Sequence, residues 1–139
     1  MIRINKGEVN TITVTLYENS TVANPIYLFC FNNQQTNVDY YFIANDTSQY
    51  LRRYNQFEVT ETTNPDTLNG EVELGNEGFY NYYIYQTNLQ STSGLTNASE
   101  AVQDIVKEVE NGLVWVVPEA TSTITYNPQS NTAIVYNND

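Results

Sequence analysis

Residues 76–86 read Asn76-Glu77-Gly78-Phe79-Tyr80-Asn81-Tyr82-Tyr83-Ile84-Tyr85-Gln86, and their reading decides the fold. A turn closed by Asn76 and Gly78 runs directly into a strand whose residues alternate between two faces. Tyr80, near the start of that strand, stands where a tyrosine corner places the residue whose hydroxyl returns to the preceding backbone. Tyr82, two residues on, takes the inward core position that is often a cysteine. On this stretch alone, any aromatic strand following a glycine turn would look similar. The flanking sequence makes the choice.

Immediately upstream, Gly70-Glu71-Val72-Glu73-Leu74-Gly75 alternates, which predicts a strand with Val72 and Leu74 inward and both carboxylates outward. Nearer the start, Thr11 to Glu18 alternates Ile12, Val14 and Leu16 with threonines and Tyr17, a half-buried strand that ends in a turn at Glu18-Asn19-Ser20. Ile2 to Ile4 suits a short edge strand closed by Lys6-Gly7. Ile26 to Phe31 is apolar on both faces and reads as a strand covered on both sides. Val38 to Ala44 is its expected hairpin partner. The stretch Tyr50 to Tyr54 fits a helical turn or an irregular crossing, Phe57 and Val59 mark another strand, and Thr62 to Asp66 is a loop.

After the corner strand, residues 86–97 read as a long polar loop. Ala101, Val102, Ile105 and Val106 have helix spacing within Ser99 to Lys107, whereas Val109 to Val117 predicts a strand with a bulge at Asn111-Gly112. Residues 121–137 read as a closing hairpin around Asn127-Pro128. No amphipathic helix is long enough for a crossover. These elements predict one all-β domain over residues 1–139, an immunoglobulin-like two-sheet β-sandwich with an additional C-terminal hairpin; a closed barrel is the alternative.

Composition bounds the chemistry. At 139 residues the chain can bury a two-layer core without staples, and its single cysteine, Cys30, excludes an internal disulfide and suits a buried thiol. The formal net charge of −11, with 16 acidic and 5 basic residues, opposes binding to DNA or RNA. Neither a secretory leader nor a membrane span is expected. There is no histidine, which removes the commonest general base and transition-metal ligand.

Carboxylates are what remains for catalysis. Glu71 and Glu73 share a strand face at a spacing a glycosidase could use, but alternating glutamates more simply solvate a strand. Asn45, Asp46, Asn64 and Asp66 could offer oxygens to Ca²⁺; Asx residues in loops more commonly serve turns. No catalytic, cofactor-binding or metal-binding residue is therefore assigned, and no cofactor is expected. The 12 tyrosines are the remaining signal, since tyrosine suits contact surfaces and sugar stacking. Alternation sends Phe79, Tyr83 and Tyr85 to the face opposite Tyr80 and Tyr82, to be covered by the long loop or by another chain. These three, with the basic pair Arg52 and Arg53, are the candidate protein-contact residues.

The run Gly78 to Gln86, the later Val109-Glu110-Asn111-Gly112-Leu113-Val114-Trp115-Val116 and the early Thr11 to Leu16 strand together resemble immunoglobulin-like accessory head proteins of tailed bacteriophages. The likeness is to the crAss-like and related Bacteroides phages and spans most of the chain through short motifs. It departs from antibody-type domains in lacking paired cysteines and in carrying Trp115 in a late strand. The resemblance implies a non-enzymatic auxiliary capsid, or decoration, protein assembled in the host cytoplasm. Its partners would be the major capsid protein or other virion proteins, or copies of itself, and neither nucleic acid nor membrane. A tail or baseplate adaptor of the same fold, or a carbohydrate-binding module using exposed tyrosines, are the alternatives.

Overall fold

The computed structural model describes residues 1–21, 25–50 and 53–118. Eight strands form two sheets: β1 (Ile2–Asn5), β2 (Val9–Val14), β3 (Tyr27–Asn33), β4 (Asp39–Ile43), β5 (Asn55–Glu61), β6 (Glu71–Val72), β7 (Gly78–Thr87) and β8 (Ile105–Val117). A five-stranded sheet runs β1-β8-β7-β3-β4 and a three-stranded sheet runs β2-β5-β6. β1 lies parallel to β8 and β6 parallel to β5, while every other pairing is antiparallel. The expected all-β two-sheet sandwich is thus observed, and β3, β7 and β8 lie together opposite β2 and β5 as in immunoglobulin-like sandwiches.

Period-two burial explains how the layers meet. Ile12 and Val14 of β2 and Phe57 and Val59 of β5 point inward toward Phe29, Phe31, Phe42, Tyr80, Ile84, Val114 and Val116 of the larger sheet. Phe29 is at the centre, stacked on Phe42 at 4.9 Å and edge-on to Phe57 at 4.8 Å between ring centroids. β3 is buried on both faces, as its sequence requires. The β3–β4 hairpin turns because the Asn33 side chain accepts hydrogen bonds from the backbone of Gln35 (2.8 Å) and Thr36 (2.9 Å), with Asn37 in the left-handed region at φ 58°.

The tyrosine corner is formed. Tyr80 is fully buried, and its hydroxyl donates to the Asn76 carbonyl at 2.7 Å. Tyr82 fills the inward position beyond it, and its cross-strand partner is Gly112. A Cβ at position 112 would stand 2.7 Å from Tyr82 Cε1, so the glycine makes room for the ring.

Four expectations need correction. The bulge does not fall at Asn111-Gly112, which stays in register with Tyr83 and Tyr82; instead β8 slips twice, between the partners of Ile84 and Tyr85 and of Gln86 and Thr87. Val109 and Val106 are the extra residues, and β8 therefore begins at Ile105, earlier than the alternation suggested. The helical stretch anticipated over Ser99 to Lys107 is helical only as far as Asp104, within a 3-10 turn spanning Ala98–Asp104. The upstream alternation yields just two strand residues, Glu71 and Val72, although Val72 and Leu74 are both buried as expected. The first long strand likewise stops at Val14, and Leu16 is buried just before a 3-10 turn at Tyr17–Asn19. The hairpin expected at 121–137 lies outside the described residues.

β8 is longer than its parallel partner. β1 pairs only with Val114 to Val117, so among the described residues the edge of β8 from Ile105 to Leu113 has no strand beside it.

Candidate contact face on the outer sheet

The larger sheet has a second face, turned away from the core. Along it stand Arg3 of β1, Leu113 and Trp115 of β8, Phe79, Asn81, Tyr83 and Tyr85 of β7, Leu28, Cys30 and Asn32 of β3, and Asp39, Tyr41 and Ile43 of β4. The two ends of this face are treated differently. At one end Leu28 and Ile43 are buried under Ala98 and Ala101 of the 3-10 turn, with Tyr41, Tyr85, Leu68, Leu89 and Leu95 packed around them. The backbone N–H of Ala98 donates to Thr67 Oγ1 at 2.9 Å, which ties the 3-10 turn to the loop before β6.

The other end is open. Phe79 is 51% exposed, Leu113 44% and Trp115 39%. Phe79 and Trp115 are direct cross-strand partners with centroids 6.4 Å apart and planes within 24°, and the Arg3 guanidinium lies 5.2 Å from the Trp115 ring. Such a cluster of stacked aromatics capped by a cation is a surface with large contact area and little side-chain entropy left to lose.

The sequence-derived contact residues divide accordingly. Phe79 is on the open end as expected. Tyr83 and Tyr85 are half-buried and stacked on each other at 6.3 Å and 16°, and the loop and 3-10 turn that follow β7 cover Tyr85. Arg53 is exposed in the turn after Tyr50, remote in sequence from these strands, and Arg52 lies outside the described residues. Sequence reasoning missed Arg3, Leu113 and Trp115. The signal for the last two was available: with Val114 and Val116 inward, alternation turns Leu113 and Trp115 to the same side as Phe79.

Between the open and covered ends sits Cys30, buried next to Tyr41 and Asp39. Burial first, and the nearby Asp39 charge second, push its thiol up to about 12, so it is a packing group and not a nucleophile. Tyr41 is also pushed up to about 12, by burial and then by Cys30 and Asp39.

The carboxylates are engaged elsewhere. Glu71 accepts the Asp66 backbone N–H at 2.8 Å, and Glu73 is exposed beyond the end of β6, so the two do not face each other across a strand face. Asp46 accepts from Ser48 N at 2.9 Å, Gln56 N at 3.2 Å and the Asn55 side chain, while Asp66 accepts from Leu68 N at 3.2 Å and the Asn69 side chain. The contacts to Ser48, Leu68 and Asn69 close local turns, and those to Asn55 and Gln56 tie Asp46 to the start of β5, beside its bridge to Phe57. Asp46 also borders a cleft of about 530 Å³ between Ile26, Tyr27, Leu68 and Asn69, with its oxygens already occupied as described. Among the described residues no three histidine, cysteine or acidic side chains gather as metal ligands, and no helix is long and apolar enough to cross a membrane.

Comparison of the chain with protein-family models, with curated proteins and with solved structures finds no match.

Proposed function

We propose that the chain is a non-enzymatic structural protein of a bacteriophage virion, an auxiliary capsid protein that attaches to the shell of major capsid protein in many copies and is assembled in the host cytoplasm. The observation that carries this reading is the open aromatic end of the outer sheet, Phe79, Leu113 and Trp115 with Arg3, held on a rigid and strongly acidic sandwich. Contact surfaces are enriched in aromatics and arginine, whereas an acidic remainder keeps a protein present in many copies from associating at random. The resemblance of the corner strand and of β8 to phage head accessory proteins supplies the setting.

The experiment is mass spectrometry of purified particles combined with cryo-electron microscopy to place the chain. Stoichiometric presence on the shell supports the capsid role. Density at the tail would keep the fold and move the function to an adaptor, and absence from particles would discard the virion reading.

One observation favours a second reading. Phe79 and Trp115 form an exposed pair of near-parallel aromatic rings, a surface type on which a pyranose ring can stack, so a carbohydrate-binding module is the alternative. A glycan screen in which Trp115→Ala abolishes binding would support it.

A further inference from the structure

The outer face carries its charges on opposite edges. Arg3 stands on β1, at one side of the five-stranded sheet, and Asp39 stands on β4, at the other; both are exposed. Strand register fixes their relation. Arg3, Trp115 and Phe79 lie in one row across β1, β8 and β7, and Leu113, Asn81, Asn32 and Asp39 lie in the next row across β8, β7, β3 and β4. Four strand spacings of about 4.8 Å separate the two charged edges by about 19 Å, and the midpoint between them falls on β7, between Phe79 and Asn81.

A two-fold axis parallel to β7, lying in the contact plane over that midpoint, sets the Arg3 edge of one sheet against the Asp39 edge of the other. We infer that the occupant of the open face is a second copy of this chain, packed face to face about such an axis. Arg3 of each copy then meets Asp39 of the other, and the two Phe79 side chains lie beside each other at the centre. This is an isologous contact, in which one patch is complementary to itself. Arg3 already lies over Trp115, which leaves the guanidinium at the surface next to the aromatic centre. On the other edge the Asn32 side chain donates to Asp39 at 2.7 Å and holds its carboxylate on the outer face.

The area sets the strength. Two open rows about 6.8 Å apart along the strands, across about 19 Å of sheet, bury about 260 Å² on each copy, a third of a standard interface. The dimer is therefore weak in free solution and becomes populated where copies are concentrated. The inference rests on reading this face as a contact surface and not on where the protein resides in a particle, so either can fail alone.

The test is sedimentation velocity on the full chain from micromolar to millimolar concentration, at an ionic strength where charges more than about 8 Å apart are screened, because each copy carries a formal −11. The weight-average mass should rise from one chain toward two. Arg3→Asp and Asp39→Arg should each weaken the dimer about tenfold, because each turns two symmetry-related attractions into repulsions. The double reversal should restore it. Trp115 is the only tryptophan, so its accessibility to acrylamide in the unaltered chain should fall over the same concentration range, which requires no variant to fold. A single chain at every concentration would overturn the inference, as would a dimer indifferent to both reversals. A Trp115 already shielded at the lowest concentration would also overturn it, and would assign the cover to another part of the same chain, such as residues 119–139.

Discussion

Replacing Tyr80 by phenylalanine removes one oxygen from a fully buried ring and leaves its packing in place. The bond lost is the 2.7 Å donation to the Asn76 carbonyl, which closes the turn leading into β7. A net intramolecular hydrogen bond contributes about 0.5 to 1.5 kcal/mol, and an acceptor left without a partner adds to that. Asn76 is exposed, so water can reach its carbonyl and the penalty is partial. The expected loss is about 1 to 2 kcal/mol, or about 3 to 8 °C in Tm for a domain of this size. Urea denaturation followed by far-ultraviolet circular dichroism measures it: the midpoint should fall while the slope stays constant, since the surface exposed on unfolding is unchanged. Tyr82→Phe is the control. Its hydroxyl reaches only Glu110 at 3.2 Å, nearer the periphery of the sandwich, so it should cost less. An unchanged midpoint for Tyr80→Phe, or a larger loss for Tyr82→Phe, would refute the corner as the element that fixes the entry to β7.

Gly112→Ala should cost about 1 to 3 kcal/mol, because its Cβ would press on the buried Tyr82 ring; in a double-mutant cycle Tyr82→Val should recover part of that loss. Asn10→Ala should destabilise by about 2 to 3 kcal/mol in thermal unfolding, since this buried amide accepts from Asn5 N at 2.8 Å and donates to the carbonyls of Asn5, Glu8 and Val59. Stability should fall with rising alkalinity. Cys30 is raised from 9.0 to about 12, and Tyr41 and Tyr82 from 10.0 to about 12, chiefly by burial. The folded state therefore holds protons that the unfolded chain releases, and their contribution, complete below pH 9.0, is lost progressively up to about 12. Denaturant midpoints taken across that range check the sign, and Cys30→Ala should flatten the early part of the fall.

Most of the strands were legible because one face of each is buried, and burial writes a period of two into the sequence. Ile12 and Val14, Phe57 and Val59, and Tyr80, Tyr82 and Ile84 all keep the face that alternation assigned them. The start of β8 was hidden because two bulges insert Val106 and Val109, and a strand interrupted twice in a few residues mimics helix spacing. The short β6 was overread for the opposite reason: Leu74 keeps inward alternation without a ladder, its N–H donating to the buried Glu61 carboxylate at 3.1 Å. For the contact face, the sequence indicates which side Phe79 occupies but not what lies beside it. Trp115 becomes its neighbour through the β7–β8 register, and Arg3 joins them through a parallel pairing between chain segments more than a hundred residues apart, for which no local pattern exists.

The unaccompanied edge of β8 bears on how such a protein behaves when crowded. A bare strand edge is a template for adding further strands, and a chain present in many copies would be prone to grow into ribbons along it. Here the two bulges break the spacing of backbone donors and acceptors that an incoming strand would need, and Lys107, Glu108 and Glu110 place charges along the same segment. The edge route is closed while the aromatic face stays open. With the aromatic face paired as proposed, association runs through one surface whose symmetry two copies satisfy, and crowding would give a finite pair in place of a fibre.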